Sequence, residues 1–166
     1  MDTATFNILN PDQSPSARIL VVKYEALNDD DLVRMLERFG HKVVGMTDTG
    51  ETAIIQALTL QPDLVIMDIR LEGAMNGIRA AVEIRKSSDL PVVFLTPFSD
   101  QLLLNEAQKA MPYGYLSKPY NECELRAVVQ MALYKHHFDC ATRENQAWLH
   151  SILQSVSDGV VVCNTR

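Results

Sequence analysis

Three side chains in this 166-residue chain have the types and local settings that phosphoryl chemistry needs: the carboxylate of Asp68, the hydroxyl of Thr96 and the ammonium of Lys118. Asp68 ends the apolar run Val65-Ile66-Met67, Thr96 follows Val92-Val93-Phe94-Leu95, and Lys118-Pro119 follows Gly114-Tyr115-Leu116-Ser117. An aspartate can act as a nucleophile, while a lysine and a hydroxyl donor can hold the oxygens of a transferred phosphoryl group. A further apolar run, Ile19–Val22, delivers Lys23, Tyr24 and Glu25. These groups converge only if the runs are neighbouring strands whose carboxyl ends open onto one crevice, which is where open α/β sheets bind ligands.

The rest of the pattern supplies such a sheet. Continuous rather than alternating apolar runs are those of strands buried on both faces, and they fall at Ile19–Val22, Lys42–Met46, Leu64–Met67, Val92–Leu95 and Gly114–Leu116. Helical patterns lie between them near 26–38, 51–60, 77–87 and 100–110, and a last helix opens near Asn121. This alternation predicts right-handed βαβ units and a doubly wound, five-stranded parallel α/β sheet with helices on both faces. The punctuation agrees: Gly40 closes the first helix, Thr49 or Gly50 caps the second, Pro62 stops it, and Pro91 opens the fourth strand.

Bulk properties narrow the function classes. A hydrophobic content of 47% with 22% charged residues is ordinary globular composition. The net charge of −6 argues against a bare nucleic-acid surface. No apolar run reaches the ~20 residues of a membrane span, and Met1–Ser16 has no secretory signal pattern and reads as a flexible lead-in. Cys123, Cys140 and Cys163 are odd in number and widely spaced, which suits a reducing cytoplasm rather than a disulfide framework or a metal site. His41, His136, His137 and His150 are scattered and read as structural.

Residues 17–138 resemble the response-regulator receiver domain of two-component signalling, with the flavodoxin-like strand order 2-1-3-4-5. The resemblance rests on Met67-Asp68-Ile69-Arg70-Leu71, Asn76-Gly77, Phe94-Leu95-Thr96 and Gly114-Tyr115-Leu116-Ser117-Lys118-Pro119, taken in order and spacing. It implies that Asp68 is the phospho-acceptor, Thr96 the switch hydroxyl, Lys118 the lysine pairing with the aspartyl phosphate, and Tyr115 an aromatic rotamer switch. It implies a cis peptide at Lys118-Pro119 and a Mg²⁺ ion held by Asp68, the Arg70 backbone carbonyl and an acidic pair after the first strand. The partners it implies are a sensor histidine kinase or a phosphotransfer protein, and a homodimer through the face of the fourth helix, fifth strand and fifth helix or through the C-terminal helix. It describes a signalling module rather than an enzyme, belonging either to a longer multidomain regulator or to a hybrid with a histidine kinase outside these residues. A stand-alone aspartyl-phosphate hydrolase is disfavoured because Arg70 stands where a second acid/base carboxylate is needed.

The pattern departs from the family at the metal. Lys23 and Tyr24 occupy the acidic-pair positions, and only Glu25 keeps acidic character nearby. Mg²⁺ wants oxygen ligands in near-octahedral geometry, and two like charges ~4 Å apart repel by about 4 kcal/mol at a surface-like dielectric. Impaired Mg²⁺ binding is therefore expected. Either Lys23 and Tyr24 mark a loop that has lost its function, or the ammonium locks onto Asp68; the second reading makes a phosphorylation-independent pseudo-receiver that binds or dimerises. Pro97 is a second departure, placed where the family has a small residue.

Beyond the receiver, 139–157 reads as a signalling helix, either one with the last receiver helix or the second of two. Asp158-Gly159 followed by Val160–Cys163 reads as the opening of a strand, and 158–166 with the preceding helix resembles the start of a PAS domain. A lone strand cannot stand by itself, so this run is expected to pair with another chain or, preferentially, to open a second domain.

Overall fold

The computed structural model describes residues 16–24, 30–97 and 105–161 of the chain. Five parallel strands, β1 (Arg18–Val22), β2 (Lys42–Thr47), β3 (Leu64–Asp68), β4 (Val92–Pro97) and β5 (Gly114–Lys118), form one sheet of order β2-β1-β3-β4-β5. The helices are α1 (Asp30–Arg38), α2 (Gly50–Leu60), α3 (Gly77–Ser87), α4, described over 105–110 and closing in a 3-10 turn Gln108–Ala110, and α5 (Glu122–Val161). The expected fold is thus present, with each anticipated strand in place. The first residues expected in the helix near 26–38, and 100–104 of the one near 100–110, lie outside the described residues.

The sheet is buried on both faces, and alternate residues of each strand feed two separate cores. Leu20, Val22, Val65, Met67 and Phe94 pack with Ala53, Ala57, Ile78, Ala81 and Ile84 of α2 and α3 on one side. Ile19, Val21, Leu64, Ile66, Val93 and Leu95 pack with Leu32 and Leu36 of α1 and Leu125, Val129 and Ala132 of α5 on the other. Small residues on α2 and α3 let those helices lie close to the strands; complete burial of a Leu, Ile, Val or Phe side chain contributes about 1.5–3 kcal/mol.

Local chemistry sets the joints. Thr49 is the N-cap of α2, accepting the Thr52 N–H at 3.4 Å, and Gln61 in the left-handed region closes that helix one residue before Pro62. Gly40, at φ +85°, closes α1 in the backbone region that glycine enters without strain. His41 is buried, and its Nδ1 accepts the Ala17 N–H at 3.3 Å. Burial, followed by the charge of Arg126, holds this imidazole below its ordinary value, so it is a neutral structural acceptor.

The chain divides into two compact units, one ending at Leu133 and one beginning at Tyr134. Of the second, 134–161 is helical as the continuation of α5. Asp158–Val161 were expected to leave the helix and open a strand at Val160–Cys163; they are helical instead, and 162–166 lie outside the described residues. Extending an existing helix adds one hydrogen bond per residue fixed, whereas a strand requires a partner. Helix propagation therefore overrides the local β preference of the valines.

The connection from β3 into α3 is the tightest joint. Asn76 caps α3 through its Oδ1, which accepts the Arg79 N–H at 2.9 Å, and the Gly77 N–H donates to the Ile69 carbonyl at 2.9 Å. A Cβ on Gly77 would lie 2.0 Å from the Asp68 carbonyl oxygen. Because the obstacle is backbone, no side chain can yield. Gly77→Ala is expected to destabilise the domain by about 2–3 kcal/mol, read as a lower denaturant midpoint, with resonances around Asp68 displaced.

Candidate functional site

Asp68 is the last residue of β3 and is 4% exposed. Strand register brings the other groups around it. Val22 pairs with Met67, so the next residue of β1, Lys23, stands beside Asp68. The Lys23 N–H donates to the Thr47 carbonyl at 2.9 Å, which carries the pairing with β2 one residue past Val22. On the other side Asp68 pairs with Leu95 of β4, and Thr96 and Pro97 pair with Ser117 and Lys118 of β5. The Lys118 Nζ reaches across β4 to donate to Asp68 Oδ2 at 2.7 Å.

The electrostatics follow from this geometry. Burial disfavours the ionised form, and it is the largest influence on Asp68, raising the carboxyl above its ordinary 3.8. Opposing it are the hydrogen bond and charge of Lys118, a hydrogen bond from the Tyr24 backbone N–H, and the charge of Lys23. Lys23 is itself buried, at 4% exposure. The cluster is one buried carboxylate held by two lysines and one main-chain donor.

The remaining candidates are placed as follows. Thr96 is buried, and its hydroxyl donates to the Pro97 carbonyl at 3.1 Å. Tyr115 stands against Phe94, with ring centroids 6.1 Å apart at 34°. Its ring packs against the α2–α3 core, and its buried hydroxyl has no hydrogen-bond partner among the described residues. The Lys118-Pro119 bond is cis. Arg70 and Tyr24 are exposed. Glu25 lies outside the described residues.

The described residues do not fit a Mg²⁺ ion. Such an ion needs oxygen ligands at close, near-octahedral positions. At the two positions where the family resemblance puts carboxylates there is a buried ammonium, from Lys23, and an exposed phenol, from Tyr24, whose N–H already donates to Asp68. The contribution of that N–H was not foreseen from sequence. Its signal was available only as the chain direction after β1, which turns the main chain toward the end of β3.

With that geometry in view, the family follows. Residues 19–130 match the response regulator receiver domain family, and the chain belongs to it. Among curated proteins it is 36% identical over 122 residues to the transcriptional regulatory protein PdtaR of Mycobacterium tuberculosis, a match covering 74% of this chain and 59% of that protein. The chain thus matches about three-fifths of the length of this relative. Among solved structures, the signal receiver domain of a modulated diguanylate cyclase from Desulfovibrio desulfuricans superposes with a TM-score of 0.70 at 32% identity, covering 75% of this chain and 98% of that one. The N-terminal domain of a response regulator/sensory box/GGDEF three-domain protein from Carboxydothermus hydrogenoformans gives a TM-score of 0.66 at 31% identity, covering 74% and 98%.

A carboxyl raised by folding binds more protons in the native state than in the unfolded one, so the stability linked to it is present below 3.8 and is lost as pH rises through the raised value. The stability difference between Asp68→Asn and the wild type should therefore move in favour of the variant as pH increases from below 3.8 to neutrality. Paired thermal unfolding curves at stepped pH measure this; a flat or inverted difference contradicts the charge balance described.

Proposed function

We propose that this receiver domain relays a signal from Asp68 with fixed cations in place of a divalent metal, as a pseudo-receiver that mimics a phosphoryl-dependent state. The observation that carries this reading is Lys23: an ammonium buried at the end of β1 beside Asp68, at a position where metal-dependent receivers need an acid. Lys118 neutralises the carboxylate from one side and Lys23 from the other, so the site already holds positive charge. A divalent ion would be added against that charge.

Relay from the cluster runs through β5. Lys118 and Tyr115 share this edge strand, so a change in the Asp68–Lys118 contact and a change in the tyrosine rotamer act on the same short segment. Among the described residues the Tyr115 hydroxyl has no partner, which makes the buried ring position costly by about 1–3 kcal/mol and narrows the gap to an outward rotamer. A crevice of about 420 Å³ bounded by Tyr115, Ser117, Pro119, Glu124 and Val128 opens on this side of β5 and the start of α5. This α4–β5–α5 side is the proposed docking face for a partner.

A second reading retains Asp68 as a phospho-acceptor served by a sensor histidine kinase or phosphotransfer protein, and the direct Asp68–Lys118 contact favours it. In both readings the protein is a cytoplasmic signalling module; among the described residues no helix is long and apolar enough to cross a membrane. The likeness of the tail to a PAS opening supports a following sensory module.

The decisive experiment exposes the wild type and the Lys23→Glu, Tyr24→Asp double variant to Mg²⁺ with a small-molecule phosphodonor or beryllium fluoride. Only the double variant is expected to show an Asp68-dependent mass gain or spectral change. A wild type that responds with Mg²⁺ as the double variant does would overturn the pseudo-receiver and establish the phospho-acceptor.

A further inference from the structure

Among the described residues, the helix of the second unit carries a long exposed stretch. Every residue from 141 to 151 is exposed, although most helical stability in proteins comes from packing an apolar face. The exposed residues include three large aromatics: Tyr134 at 43%, Phe138 at 60% and Trp148 at 64%, with Leu149 alongside at 53%. From the size of such side chains, the exposed apolar area is roughly 500 Å² per chain, above what an isolated surface residue accounts for and, doubled, close to the ~1,000 Å² of a specific interface.

The spacing says what kind of surface this is. Tyr134, Phe138, Ala141, Asn145 and Trp148 follow one another at intervals of four, three, four and three, and the next interval of four falls on Ile152. That alternation is the 3.5-residue repeat of a coiled-coil seam rather than the broader 3.6-residue stripe of a helix packed on a sheet. One core position, Asn145, is polar, a device that fixes register and strand number in two-stranded parallel coiled coils.

We propose that a second copy of this chain covers the seam, as a parallel, in-register two-stranded coiled coil running from Tyr134 to Ile152 with the two Asn145 side chains facing each other. Length selects this occupant. The seam spans about 28 Å of helix, whereas α1, α2 and α3 are 9, 11 and 11 residues long and α5 has 40. Among the described helices only another α5 can match it. Self-pairing also satisfies the asparagine, because a carboxamide both donates and accepts and so can bond to its own copy. A parallel arrangement is required for that meeting, since an antiparallel one sets Asn145 opposite a different position. This deepens the homodimer reading of the C-terminal helix and is independent of what Asp68 does.

The test uses the full 166-residue chain without metal or phosphodonor, so that its outcome is separate from that of the Asp68 experiment. Sedimentation across a concentration series should give a dimer mass for the wild type, and Phe138→Glu with Trp148→Glu should weaken association by at least ~100-fold while the circular dichroism and folding transition of the receiver unit persist. With Cys123, Cys140 and Cys163 replaced by Ser, Asn145→Cys should close an intermolecular disulfide under mild oxidation. A monomeric wild type would leave the seam to a different partner and sink the proposal. So would a trimer, a dimer indifferent to the two glutamates (which would place the contact on α4–β5–α5), or a position 145 that does not cross-link.

Discussion

A carboxylate that is 4% exposed at the end of a central strand is the constraint around which this domain is organised. Burying an ion costs several kcal/mol unless its partners are close and well aimed, and Asp68 receives them from three directions: Lys118 from β5, Lys23 from the end of β1, and the Tyr24 main chain. None of these can be considered alone, because deleting one partner of a buried ion leaves the others facing an uncompensated charge. The backbone of Asp68 is held just as closely, with α3 starting directly against its carbonyl at Gly77.

The arithmetic of charge gives the site its character. One carboxylate stands with two lysines at the end of β3, although the chain as a whole is at −6. A metal-dependent receiver has the opposite local balance. The fold is that of the family, and Asp68, Thr96 and Lys118 stand at the carboxyl ends of β3, β4 and β5, with Lys23 and Tyr24 following β1. The sheet holds one buried charge there, joined to β5 by the Lys118 hydrogen bond.

How far this was legible in the sequence differs by element. The strands were readable because burial on both faces leaves uninterrupted apolar runs, and Asp68, Thr96 and Lys118 were readable because each run stops at a polar residue. The burial of Lys23 was not: a lysine after a strand is ordinarily solvated, and only the β1–β3 register, together with the extra bond to Thr47, turns it beside Asp68. The local direction of the Thr96 hydroxyl, toward Pro97, also depends on coordinates. At the other end, Asp158-Gly159 and three valines carry a genuine β signal, but local preference is a weak force against an established helix with no strand to pair with. Leu125, Val129 and Ala132 enter the receiver core, whereas Trp148 and Leu149 are exposed; a single stripe in the sequence is thus two surfaces with different tasks.

The two members of the Asp68–Lys118 pair differ greatly in their access to water: the lysine side chain is 40% exposed and the aspartate 6%. One can trade its bond for hydration at little cost, and the other has nowhere to go. Whatever discharges or re-engages the acid will therefore show itself as motion of the amine, and the mobile half of this latch sits on the outermost strand, within reach of anything that approaches from solution.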